Sequence, residues 1–374
     1  MNFCDQTFET LLIIIFFKEN FVFTRNLKPE LQLVNIVFRH ADRTPEKSLN
    51  EMYPNDPNIN NKFYPMGDGG LTNRGKLRAY SLGVILRERY DEFLGSTYFP
   101  DDVLARSTDF DRTKMTLQLV LAGLYPPDSI QKWHPKLNWQ PISTTVGNIE
   151  NDSLLMPTGC PNFKAEQGKV FKLAEVAEKS TQYNELWKKL TYLTGEKIDS
   201  FKHALRLYNT LVEEKAMKLP IPEWAEELLA SGELAKAASV QIELKNYNTI
   251  LKKLNGGILL KKMSDDMIAK KNGSLKKGKK IELYSAHDIN VAGQILALGI
   301  DEPHQPYFTS AVILELYRID KDFYVQVLYY KGDSSKLEIK QIPGCLACCP
   351  LDKYVDLLKD VTPSGDELNC SSTM

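Results

Sequence analysis

The sequence has no surplus of either charge. Its 47 Lys and Arg residues stand against 48 Asp and Glu, a formal net charge of -1. A chain built to neutralise many nucleic-acid phosphates would be basic, so nucleic acid is not an expected partner and any anion site must be local. Internal repeats and low-complexity tracts are missing as well. Long apolar runs are scarce. Leu11 to Phe17, LLIIIFF, is too short to span a bilayer and has the length of a signal-peptide core. Residues 1–27 therefore read as a leader ending between Val22 and Lys28, although Asp5 and Glu9 stand where positive charge is usual. No later segment is apolar long enough to cross a membrane, so no membrane span is expected in the mature chain. Zinc-ligand spacing is absent too. Of the six cysteines, Cys345, Cys348 and Cys349 cluster, but no second Cys or His pair accompanies them. In a secreted chain such cysteines are disulfide partners. Acceptor sequons at Asn151, Asn272 and Asn369 fit a secreted glycoprotein.

What is present is ordinary globular material, 43% hydrophobic and 25% charged. At 374 residues the chain exceeds what one core usually holds, so two domains are expected. The most informative stretch is Leu31 to Pro45, LQLVNIVFRHADRTP. Leu33, Val34, Ile36, Val37 and Phe38 form a short apolar run without Gly or Pro, which reads as a buried strand. Arg39, His40 and Arg43 follow at its end, where an α/β sheet opens a crevice. Guanidinium forks bind phosphate or carboxylate at two points. A histidine held between two of them is a candidate nucleophile toward a phosphoryl group.

Glu46 to Gly70 is rich in Pro, Asn and Gly and reads as a long loop beside that site. Leu71 to Leu94 reads as a helix capped by Thr72, with Leu77, Tyr80, Val84 and Ile85 on one face. Val103 to Thr108 is a second strand carrying Arg106. A helix follows it, capped by Asp109, with Leu117, Val120, Leu121 and Leu124 at helical spacing. From 164 to 254 no strand is evident and helical periodicity dominates, broken at Pro220 and Pro222. His203 lies in this stretch and reads as packing or surface. The ten lysines from Lys252 to Lys280 lack interleaved aromatic residues, so they read as a solvated connection. Ile281 to Ala286 is a third strand, ending in His287 and Asp288. Val312 to Tyr317 and Phe323 to Tyr330 flank Asp320 and Lys321 as a hairpin. The expected fold is α/β, a mixed and largely parallel sheet flanked by helices. The catalytic domain would comprise 28–163 and 255–374, with 164–254 as an inserted smaller all-helical domain.

Three strand ends thus deliver Arg39, His40 and Arg43, then Arg106, then His287 and Asp288. Helix N-termini after the second and third strands would face the same crevice and favour an anion. So many cations around one point would repel a divalent metal, which disfavours a site made of His40, Asp42, His287 and Asp288.

Arg39-His40-Ala41-Asp42-Arg43-Thr44-Pro45 resembles the Arg-His-Gly-x-Arg-x-Pro signature of the histidine acid phosphatases, a branch of the histidine phosphatase superfamily. LARSTDFDRT (104–113) is similar to the family's second arginine motif and YSAHD (284–288) to its His-Asp motif. GCPNF (159–163) and CLACCPL (345–351) are similar to its cysteine regions. The likeness runs from about Leu31 to Cys370 and is strongest to the secreted insect venom, mammalian prostatic and lysosomal branches. It implies that His40 becomes phosphohistidine and that Arg39, Arg43, Arg106 and His287 hold the phosphate. It implies that Asp288 protonates the departing alkoxide. No metal or other cofactor is implied. The substrates would be small phosphate monoesters or phosphoproteins, the oligomer a homodimer, and the location extracellular or lysosomal. The family pattern also implies disulfides Cys160–Cys370 and Cys345–Cys349, with Cys348 unpaired. Ala41 departs from the family's Gly, which would let the backbone approach phosphate or take positive φ. Other readings stay open: a phytase-like or lysophospholipid phosphatase, a mutase, or a catalytically impaired binding protein.

Overall fold

The computed structural model describes residues 28–364 except 151, 277, 301–303 and 333–335. The run Leu11 to Phe17, Cys4, Cys370, Asn151 and Asn369 lie outside the described residues.

A mixed eight-stranded sheet has β1 (Glu30–Arg39) at its middle. On one side β1 pairs in parallel with β4 (Ile281–Ala286). Next come β2 (Val103–Ser107) and the short β3 (Thr145–Val146), also parallel. On the other side β1 pairs antiparallel with β5 (Ala311–Ile319). The hairpin partner β6 (Asp322–Tyr330) carries β7 (Leu337–Lys340) and β8 (Cys348–Pro350). The β5–β6 turn places Asp320 at φ 56°, a left-handed conformation that Asp tolerates.

Helices cover both faces because the central strands are apolar on both sides. On one face, α1 (Asn73–Leu94) and α2 (Asp111–Leu124) press Leu82, Leu86, Leu117 and Val120 onto Val34, Ile36, Phe38 and Leu283. Each of these fully buried aliphatic or aromatic side chains contributes about 1.5–3 kcal/mol. Between β3 and β4 runs an all-helical stretch. It comprises α3 (Pro161–Val170), α4 (Ala174–Thr181), α5 (Asn184–Thr194), α6 (Phe201–Ala216), α7 (Glu223–Ser231) and α8 (Glu233–Leu244). These helices bury Phe163, Trp187, Leu190, Leu211 and Leu228 in an apolar cluster that also takes in Tyr53 and Ile289. The chain then returns through α9 (Thr249–Lys252), a π-helical turn (Lys253–Gly257) and α10 (Ile258–Lys271). The second face is closed by α10, α11 (Asp288–Ala297) and α12 (Leu351–Leu358), with Leu259, Met263, Ile295 and Tyr354 packed on Val37, Tyr284 and Leu314.

Two local expectations are corrected. Thr72 does cap α1, its side chain accepting from the Gly75 N–H. The buried face, however, is Gly75, Ala79, Leu82, Gly83, Leu86, Tyr90 and Leu94, while Leu77 is 66% exposed. Small residues carry no apolar signal, yet they let the helix approach its neighbours closely. The second helix begins at Asp111 without a side-chain cap, and Asp109 pairs with Lys114 instead.

Gly75 shows how tight this packing is. A Cβ there would lie 2.1 Å from the Asp42 carbonyl oxygen, in the loop after β1. Gly75→Ala should therefore destabilise the protein by about 1–2 kcal/mol, overpacking outweighing the ~1 kcal/mol that Ala gains over Gly in a helix. Chemical denaturation checks this, and a more stable variant would contradict the close approach.

Candidate active site

The three parallel strands leave the sheet together, because the register sets Arg39 beside Ala286 and Ser107 beside Ser285. Beyond their ends lies a cavity of about 240 Å³ whose lining includes Arg39, His40, Arg43, Arg112, His287 and Asp288.

His40 is buried, its ring 5.6 Å from that of His287 and 6.0 Å from Phe308, centroid to centroid. Its Nδ1 lies 3.0 Å from the Ala41 carbonyl oxygen. A carbonyl only accepts, so Nδ1 carries the proton and Nε2 keeps its lone pair. Burial, then the charges of Arg112, Arg39, His287 and Arg43, hold the His40 pKa well below the ordinary histidine value. The imidazole is therefore neutral even in mildly acidic solution.

Each arginine of the cleft is backed by a carboxylate from another part of the chain. Arg39 donates to the Pro306 carbonyl at 2.7 Å, approaches Asp288 at 3.5 Å and lies over the Phe308 ring at 4.4 Å. Arg43 forks onto Glu51 with two bonds of 2.7 Å and reaches Glu213 on α6 at 3.2 Å. Arg112, in the first turn of α2, pairs with Glu46 at 3.0 Å and stacks on Phe110 at 4.5 Å. All three guanidiniums keep a buried Nε–H that finds no acceptor among the described residues. Three guanidinium groups lining one small cavity favour an oxyanion there.

His287 sits at the N-terminus of α11 with Nε2 3.0 Å from Thr108 Oγ1. Burial and the nearby arginines, Arg112 foremost, lower its pKa, with Asp288 pulling the other way. Asp288 accepts from Gln305 at 2.6 Å. Burial raises its pKa, but Arg39, Lys245, the Gln305 hydrogen bond and His287 outweigh this, so it lies below the usual carboxylate range.

With this geometry in view, a family model described as the histidine phosphatase superfamily (branch 2) matches residues 30–330. The chain belongs to the histidine phosphatase superfamily, branch 2. It is 42% identical over 344 residues to a venom acid phosphatase of Apis mellifera, covering 92% of this chain and 88% of that one. It is 34% identical to the prostatic acid phosphatase of Rattus norvegicus (92% and 90% covered) and 33% to the lysosomal acid phosphatase of Bos taurus (91% and 80%). Among solved structures, a phytase of Klebsiella sp. ASR1 superposes with a TM-score of 0.67 at 15% identity, covering 91% of this chain and 99% of that one. That likeness concerns the fold.

In this histidine phosphatase, one residue singled out from sequence lies elsewhere. Arg106 is not at the cavity. It lies within β2, paired with Tyr284 and Thr145, and bonds Asp152 at 2.7 Å. Its neighbours Ala105 and Ser107 are buried, and Ala105 packs under α1 and α2, so strand alternation sends Arg106 to the opposite face. Asp152 also accepts from the Leu154 and Leu155 N–H groups, so Arg106 braces the 152–158 turn that walls the cleft. Arg112 lines the cavity instead. Its signal was available, since a strand-to-helix turn aims the first helical turn at the crevice and Asp111-Arg112-Thr113 is that turn.

Ala41 is buried, its N–H donating to Thr116 Oγ1 at 3.1 Å, and it is not among the residues with positive φ. Its methyl joins the apolar cluster under α1, so the loop accommodates the departure from Gly. Asp42 turns away to Arg78 at 2.6 Å and Arg74 at 3.6 Å, so the alternative metal-ligand set is not assembled. The Cys345–Cys349 disulfide is present. Cys160 and Cys348 are also disulfide-bonded, which corrects the expectation of an unpaired Cys348. Adjacent residues of a strand face opposite ways: Cys349 enters the core with Cys345, while Cys348 packs beside Tyr317 and is buried in its own right.

Arg112→Ala should lower kcat by about 10²–10³-fold, the usual cost of removing one preorganised donor to developing charge. Arg106→Ala should cost less than about tenfold, acting only through the wall it braces. Steady-state kinetics on one aryl phosphate decides between them, and the reverse order would restore Arg106 to the site.

Proposed function

We propose that this cleft hydrolyses phosphate monoesters through a phosphohistidine formed on His40. The chain is an acid phosphatase. The observation that carries the mechanism is the His40 imidazole, buried, neutral and locked with Nε2 free among three guanidinium groups. Arg39, Arg43, Arg112 and His287 surround the equatorial oxygens, where charge spreads in the transition state. Nε2 forms a bond to phosphorus as the ester P–O bond breaks. Asp288 gives a proton to the departing oxygen and, as carboxylate, then takes one from the water that releases phosphate. No step calls on a metal ion.

The cavity of about 240 Å³ beside His40 accommodates a small monoester. Ala41, seated without strain, speaks against an impaired binding protein. The named relatives support secretion or lysosomal delivery, and we extend the same inference to glycosylation, a homodimer and phosphoprotein substrates.

His40→Ala should abolish turnover, by more than about 10⁴-fold, while the folded signal stays intact. Acid-quenched enzyme exposed to phosphorus-labelled substrate should yield an acid-labile, base-stable phosphoprotein from the native chain alone. Equal label in the variant would remove His40 from the nucleophile's role.

The pH dependence follows from the two shifts. His40 stays neutral well below pH 6.5, so acid does not silence the nucleophile. Asp288 is ionised in the free enzyme, so its proton arrives with the substrate monoanion. As pH rises through ~6, the monoester loses that proton and kcat/KM falls. Monoesters with different second pKa values should shift this descending limb in step. A limb fixed at one pH for all substrates would assign it to an enzyme group instead.

A further inference from the structure

Four cations line the cavity, and three are committed: Arg39 to Asp288, Arg43 to Glu51 and Arg112 to Glu46. The fourth, Lys245, follows the C-terminal end of α8, and its ammonium makes no hydrogen bond or ion pair to any described residue. Lys245 is half-buried and the Asp288 charge acts on it, so its ammonium stays open to a ligand in the cleft. Its place within the cleft follows from which groups it influences. Arg112, Arg39, His287 and Arg43 act on His40, whereas Arg39 and Lys245 act on Asp288. Lys245 therefore stands on the Asp288 side. In-line displacement sets the nucleophile and the leaving oxygen on opposite sides of phosphorus. With His40 on one side and Asp288 at the leaving oxygen, the rest of the leaving group extends toward Lys245. Asn209 of α6 lines the same cavity. Its Oδ1 accepts from Gln305 Nε2 at 3.3 Å, which leaves its Nδ2–H groups as donors. Leu205 and Ile289 supply apolar surface beside them.

We infer that Lys245 and Asn209 form a leaving-group subsite for a carboxylate, so that preferred substrates are small phosphate monoesters of hydroxy acids. This rests on the phosphomonoesterase reading above. One ammonium and one amide match a single negative charge and its two acceptor oxygens better than a second phosphate dianion. The group recognised is the one that departs, so the subsite sets substrate choice and leaves the phosphate pocket unchanged.

The test uses a matched pair, 3-phosphoglycerate and glycerol 3-phosphate, in which a carboxylate replaces a hydroxymethyl group. The readout is the ratio of their kcat/KM values in the native enzyme, Lys245→Gln and Lys245→Arg. The expected result is a ratio lowered roughly tenfold or more by Lys245→Gln, mainly through KM of the acid, and largely kept by Lys245→Arg. Comparing ratios cancels any general damage to the fold or to Asp288. An unchanged ratio in Lys245→Gln overturns the subsite. An equal displacement of both pH profiles with that unchanged ratio would make Lys245 a positioning residue for Asp288 alone. Failure of the native enzyme to hydrolyse p-nitrophenyl phosphate would instead overturn the phosphatase reading, and the subsite with it.

Discussion

Concentrating positive charge around one neutral imidazole is the constraint on which the structure depends. Three guanidiniums within one small cavity repel each other and are expensive to desolvate. The fold meets this cost by setting a carboxylate behind each, and those carboxylates are scattered along the chain. Glu46 and Glu51 come from the loop after β1, Glu213 from α6, and Asp288 from the start of α11. The site cannot be assembled unless loop, helical stretch and sheet are all in place. This explains why the Pro- and Asn-rich segment from Glu46 to Gly70 is held so closely. Its acidic residues fix the arginines, so its order and the order of the cleft are one matter.

The same field separates the two proton-handling groups. Burial and cationic neighbours act together on His40, because both disfavour an imidazolium. On Asp288 they act in opposition, and the cations win. Titratable groups pushed apart by their surroundings acquire distinct roles, in the proposed mechanism a nucleophile that stays unprotonated in acid and a carboxyl that borrows its proton from the substrate. An acidic working range follows from this arrangement without a special device.

Packing and chemistry meet at the loop between β1 and α1. Gly75 lets the helix touch the Asp42 backbone, while Asp42 bonds Arg78 and accepts from the Thr72 N–H. The loop that carries His40 is thus clamped from outside the cleft by residues that never meet substrate. Such support keeps reacting groups within the small tolerances that positioning demands.

The sequence by itself determined the five longest strands but not β3, β7 or β8, the principal helices, and five of the six proposed site residues. Strand ends in an α/β sheet must discharge their polar residues at one edge, and a run such as Val37-Phe38-Arg39-His40 shows where that edge lies. It did not determine which residue of 104–113 would enter the cleft. Arg106 and Arg112 are alike in type, and only the pleat of β2 and the start of α2 separate them. Nor could it reveal the buried face of α1, where Gly75, Ala79 and Gly83 matter because they are small. Tertiary structure alone decided the carboxylate behind each arginine, and the placing of Lys245 in the same cavity as Asp288. Those pairings join residues far apart in the chain, and electrostatic balance is a property of distance in space, which no local pattern encodes.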